Sequence, residues 1–101
     1  MDTSQLQAFP PKNKSWKDII KSTKTGPAKY KPGINIKSVE YDVFNSETPV
    51  TNGKPWKVKD MGEVIGTSEG KPSQWMRVEL SAGTIHGHPI SIDEFLRLTT
   101  P

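Results

Sequence analysis

Residues 74–90 read QWMRVELSAGTIHGHPI, and their alternation decides the fold. A β-strand sends successive side chains to opposite faces, so Met76, Val78 and Leu80 point one way and Trp75, Arg77 and Glu79 the other. Ser81, Ala82 and Gly83 then close a tight hairpin, and Thr84, His86 and His88 return on one face opposite Ile85. These are the only two histidines in the chain. The glycine between them makes their spacing i, i+2, which brings both imidazoles to the same surface. Paired through the hairpin, that surface also carries Arg77, Glu79 and the Thr84 hydroxyl, while the reverse is expected to be aliphatic and left bare at Gly87. Pro89 has no amide donor, so the returning strand must loosen there or lie at a sheet edge.

Working outward, PWKVKD alternates Trp56 and Val58 against Lys57 and Lys59, EVIGTS reads as a short strand, and Gly70-Lys71-Pro72 reads as a turn. TNGKP at 51–55 contains Asn-Gly, a strong turn signal. Ser15 with Asp18 three residues on has the form of a capping box, opening a helix with Trp16, Ile19 and Ile20 on one side. GPAKYKPG, with two prolines and two glycines, reads as a loop. Asn35 caps a second helix whose apolar face is Ile36, Val39, Val43 and Phe44, and Ser91 with Glu94 opens a short C-terminal helix. The fold class is therefore α+β, with two N-terminal helices packed on a three- or four-stranded antiparallel sheet and a short C-terminal helix. Residues 1–14, polar and containing Pro-Pro, read as a flexible tail or linker, and 15–101 as a single domain.

Composition narrows the chemistry. The chain has 101 residues, 32% hydrophobic and 25% charged, with nine prolines and no cysteine. Disulfides, thiolate nucleophiles and cysteine-based zinc sites are excluded together. No stretch approaches the ~18 apolar residues of a membrane span, and no cofactor is called for. The net charge of +3 hides an uneven distribution, because Lys12, Lys14, Lys17, Lys21, Lys24, Lys29, Lys31 and Lys37 face only Asp18. A block with seven surplus positive charges favours a polyanionic partner through counterion release.

The face bearing the histidines suits one reaction class. Metal-free RNA cleavage needs a base for the 2'-hydroxyl proton, an acid for the leaving 5'-oxygen, and fixed positive charge near the developing phosphorane. An imidazole with an ordinary pKa of ~6.5 can do either proton job. Arg77, Lys57 and Lys59 are candidates for charge stabilisation, Glu79 for a base or for orienting an imidazole, and Trp75 for stacking a base. The same residues leave other readings open: a metal-dependent nuclease chelating through His86 and His88 with Glu79 as third ligand, a non-catalytic nucleic-acid-binding module relying on the lysines, or a structural interaction domain.

The run SWKDIIKSTKTGPAKYKPG, then TNGKPWKV, EVIGTSEGK, WMRVE and GTIHGHPIS, resembles in that order the C-terminal toxin modules of bacterial polymorphic toxin systems, the group called polymorphic toxin type 35. The likeness covers roughly residues 15 to 98. It implies a ribonuclease of the barnase, EndoU, colicin and RelE-like superfamily, built of one or two N-terminal helices on an antiparallel sheet. Such domains act without metal on RNA, often tRNA, after delivery by a larger secreted or surface protein into the cytoplasm of a neighbouring bacterium. The producing cell makes a cognate immunity protein. Carried over by motif, the implied site is His86 or His88 with Arg77 or Lys54 and with Thr84, and Lys21, Ser22 and Thr23 are further candidates. Lys24 and Lys29, in the same lysine block, join them as RNA-binding candidates with Lys57, Lys59 and Trp75.

Overall fold

Each helix starts where a polar side chain can accept an amide of the first turn. Ser15 accepts from Asp18 N and opens α1, Trp16–Ser22; Asn35 accepts from Ser38 N and opens α2, Ile36–Phe44; Ser91 accepts from Glu94 N and opens α3, Ile92–Thr99. All three caps are those expected from the sequence. The structure is a computed structural model and describes residues 9–11, 13–46 and 56–100. Most of the expected tail, the Asn-Gly turn at 51–55, Lys12 and Lys54 lie outside the described residues.

The chain is α+β, but its strands form two three-stranded antiparallel sheets rather than one meander. The first sheet has the order β1 (Lys29–Tyr30), β3 (Gly66–Ser68), β4 (Lys71–Ser73), and the second the order β2 (Trp56–Asp60), β5 (Trp75–Ser81), β6 (Thr84–Ile90). Two expectations are corrected here. Lys29–Tyr30 lies in the stretch read as a loop, yet pairs with β3 through Lys29↔Thr67 and Tyr30↔Gly66. The turn after β3 is at Glu69 and Gly70, both with positive φ, and Lys71 and Pro72 are already strand. Ala82 and Gly83, at φ 52° and 79°, make the matching two-residue turn between β5 and β6. Pro89 is accommodated as expected, since β6 is an edge of its sheet.

The β2-β5-β6 sheet is covered on both faces. One face packs Met76 and Val78 with Tyr30, Val43 and Ile65, and α2 contributes Ile36, Val39 and Phe44 to that core. The other packs Val58 and Ile90 with Leu98 of α3, with Trp56, Trp75 and Phe95 around them. Each such aliphatic side chain contributes roughly 1.5–3 kcal/mol when fully buried, so α3 is held firmly across one end of its face. Only α2 of the two N-terminal helices lies on this sheet; α1 packs on β3 and β4. Buried Thr23 ties it there, hydrogen-bonded at 3.1 Å to Thr67 and accepting from Gly70 N at 2.9 Å.

Candidate active site

The register of the hairpin sets Arg77 opposite His88, Glu79 opposite His86 and Ser81 opposite Thr84. On the other flank Trp56 stands opposite Glu79 and Val58 opposite Arg77. Directly opposed residues share a face with Cβ atoms about 5 Å apart, so two rows form: Trp56–Glu79–His86, and Val58–Arg77–His88. His86, His88, Arg77, Glu79, Thr84 and Trp75 are therefore on one face, as strand parity requires.

α3 divides that face. Its Glu94 carboxylate pairs with Arg77 Nη1 at 3.2 Å, and the Arg77 guanidinium lies over the Trp56 ring with Cζ 4.1 Å from the centroid. The Trp56 indole N–H in turn donates to Glu79 Oε2 at 3.1 Å. A chain of polar contacts thus runs from α3 to the carboxylate beside His86. Glu94 was legible as the closing residue of a capping box, three positions after the cap, whose carboxylate returns to the cap amide; here it turns to Arg77 instead. Trp56 was legible only as a strand residue, although its parity with Glu79 follows once the register is known.

His88 lies beneath this end. Burial, and secondarily the Arg77 cation opposite, push its imidazole down to about 4. It is neutral at physiological pH and does not supply a proton there. His86 is half-buried in the row farther from Arg77 and Glu94, and Thr84 beyond it is exposed. Trp75 shares the face, but its ring sits 6.4 Å from that of Phe95 and forms part of the core beneath α3. It is corrected from a stacking platform to a packing residue.

Several other candidates are not brought to this site. Lys57 and Lys59 project from the opposite face: Lys57 Nζ donates to Ser46 O at 3.1 Å, and Lys59 pairs with Asp42 of α2 at 3.0 Å. Neither can stabilise charge beside His86. Ser22 is exposed and donates its hydroxyl to Ile19 O within α1, whereas Thr23 is a buried link between α1 and the first sheet, so the Thr23 hydroxyl is not offered to RNA. Lys21 and Lys24 are exposed on α1 and its C-terminal turn, and Lys29 is half-buried on β1.

The reverse of the sheet is neither bare nor purely aliphatic. Gly87 N donates to Glu40 Oε2 at 2.9 Å, and the Tyr30 hydroxyl donates to the same oxygen at 3.1 Å. A Cβ on Gly87 would stand 2.8 Å from Val78 Cγ1, 3.0 Å from Tyr30 Oη and 3.1 Å from Glu40 Cγ. The glycine is therefore required by what packs behind it. Burial raises the Glu40 carboxyl, and its two hydrogen bonds and the field of His86 partly offset this. Burial likewise raises the Tyr30 phenol. Glu40 lies four residues after Ile36 and three before Val43, a spacing that places it on the helix face turned to the core.

Among the described residues no group of three or more histidine, aspartate or glutamate side chains converges as a metal site would need, and no helix is long and apolar enough to cross a membrane. Comparison with family models, curated proteins and solved structures finds no match.

Proposed function

We propose that the chain is a metal-independent RNA-cleaving domain, tRNA being its foremost substrate, and that His86 and Glu79 carry the proton transfers. The observation that supports this is their cross-strand opposition in the half-buried row beside the one that α3 engages, with a guanidinium in that adjacent row. Glu79, oriented by the Trp56 N–H, removes the proton from a 2'-hydroxyl as that oxygen attacks phosphorus. His86 in its protonated form gives a proton to the departing 5'-oxygen. The phosphorus–oxygen bond to the 5' side breaks, leaving a 2',3'-cyclic phosphate and a 5'-hydroxyl. Arg77 supplies positive charge toward the phosphorane, and His88, neutral at physiological pH, holds the strand beside it.

The wider setting is part of the same proposal: a toxin module of a larger secreted or surface protein, acting in the cytoplasm of a target bacterium and blocked in the producer by a cognate immunity protein. The toxin-module resemblance over residues 15 to 98 supports it. The test is incubation of the purified domain with total bacterial RNA in EDTA, comparing wild type with H86A and E79Q. Cleavage in chelator that both substitutions abolish is expected, and intact RNA of every class refutes the proposal.

One observation favours a second reading. Arg77 is already engaged by Glu94 and Trp56, whereas Lys14, Lys17, Lys21, Lys24, Lys31 and Lys37 are exposed, which suits a module that binds RNA without cutting it. RNA binding without cleavage, unchanged in H86A, would establish that reading.

A further inference from the structure

Between α2 and the start of β6 lies a cleft of about 340 Å³, lined by Lys37, Glu40, Tyr41, Gly83, Thr84 and Ile85. This falls within the ~300–1,000 Å³ range of small-molecule sites. Lys37, Glu40 and Tyr41 are spaced i, i+3, i+4 and so share one face of α2. Lys37 and Tyr41 are exposed at the rim, Tyr41 to 50%, while Glu40 at the floor is only 3% exposed. Both hydrogen bonds Glu40 accepts land on Oε2. Oε1 takes neither of these bonds, and Glu40 lines the cleft.

The chemistry of that occupant is constrained from two sides. A carboxylate oxygen can only accept, so a group that pairs with it must bring an N–H or O–H donor. A simple cation would meet the Lys37 ammonium at the rim, so the donor must belong to a neutral group carried on an anion. A nucleotide has this arrangement, with an amino group on the base, a phosphate for Lys37, and a ring whose π-face can meet Tyr41. Thr84 lies two residues from His86 on the same face of β6, about 7 Å along the strand.

We propose that this cleft is a nucleobase subsite in which Glu40 accepts from the exocyclic amino group of the base and Lys37 takes the neighbouring phosphate. The proposal rests on the RNA-cleaving reading and extends it to base choice: cytosine is accepted and uracil rejected. The two pyrimidines have the same size, but uracil turns a carbonyl oxygen where cytosine turns an amino group, setting lone pair against lone pair at Oε1.

The test is titration of the isotopically labelled chain with CMP and with UMP, followed through backbone amide signals. CMP is expected to shift Gly83, Thr84, Ile85 and Gly87 and to bind roughly 10- to 100-fold more tightly than UMP, the range of one hydrogen bond to a charged group. Equal affinities, or shifts confined to other surfaces, overturn the proposal. In E40Q the amide oxygen still accepts from Tyr30 and Gly87 while the amide nitrogen faces the cleft, so the preference is expected to reverse toward UMP. An E40Q chain that still prefers CMP overturns it. K37Q, on the exposed rim, is expected to weaken both nucleotides by a similar factor, and unchanged affinity for both counts against the phosphate contact whether or not E40Q folds. None of these readings depends on RNA being cut. A chain that discriminates CMP from UMP yet leaves RNA intact defeats the nuclease reading alone, and one that cuts RNA without discriminating defeats the subsite alone.

Discussion

Replacing Gly87 by alanine tests whether the reverse side of the histidine strand is as tightly filled as described. The added methyl meets Val78, Tyr30 and Glu40 at 2.8 to 3.1 Å, and these residues are 1%, 0% and 3% exposed, so none has free space into which to withdraw. Overpacking of this kind costs about 1–3 kcal/mol. Removing a glycine from a strand interior returns about 0.5–1 kcal/mol of backbone entropy, leaving a net loss of about 1–2 kcal/mol. At ~4–8 °C per kcal/mol for a domain near this size, G87A should melt roughly 5–15 °C below wild type by circular dichroism. Gly62 is the contrasting site: nothing lies within 4 Å of its Cβ position, and its φ of +77° is the sole obstacle. G62A should therefore lose stability through backbone strain of about 1–2 kcal/mol, leaving the His86 and His88 ring signals where they are. G87A should move both. A G87A protein melting at or above the wild-type temperature, with both rings unperturbed, would refute the packing argument and with it the account of why glycine separates the histidines.

The other expectations concern the charged groups. His88 takes up its proton near pH 4 in the folded chain and near ~6.5 when unfolded. The unfolded state therefore binds more protons throughout that window, and stability falls as pH is lowered through it. Glu40, raised by burial, acts in the opposite sense, so the clean measurement is the His88 ring titration by NMR together with a flattened acid-side stability slope in H88Q; a His88 midpoint at 6 or above contradicts the burial argument. W56F keeps an aromatic face for Arg77 but loses the donor to Glu79, and kcat/KM on RNA should fall about tenfold with stability changed by less than about 1.5 kcal/mol; unchanged kcat/KM removes Trp56 from the positioning of Glu79. Changing Lys17, Lys21, Lys24 and Lys31 to glutamine should lower the magnitude of the slope of log binding constant against log salt by ~0.7 for each lysine that contacts single-stranded RNA. An unaltered slope would mean that these lysines only solubilise the chain.

What the sequence made legible was local. Ser15, Asn35 and Ser91 announce their helices because a cap is settled within four residues. The two faces of β5 and β6 follow from parity and a two-residue turn, and the shared face of His86, His88, Arg77 and Glu79 comes with them. What was hidden depends on distant partners. β1 consists of two residues between prolines, and only its pairing with β3 makes it a strand. Nothing in the spacing of EVIGTS tells that β3 and β4 leave the main sheet to join β1. The division of the histidine face by α3 was equally hidden, because Glu94 meets Arg77 rather than its own cap only once α3 has docked on a sheet whose strands are distant in sequence. Glu40 shows both limits: helical spacing aims it inward, but only the fold brings Tyr30 and Gly87 to its carboxyl.

The most direct trial of the central claim is the fate of total bacterial RNA mixed with the purified domain in EDTA, read by the length and end groups of the products. The account predicts fragments ending in 2',3'-cyclic phosphate from wild type and none from H86A of intact fold. Undamaged RNA with wild type, or the same fragments with H86A, would contradict it.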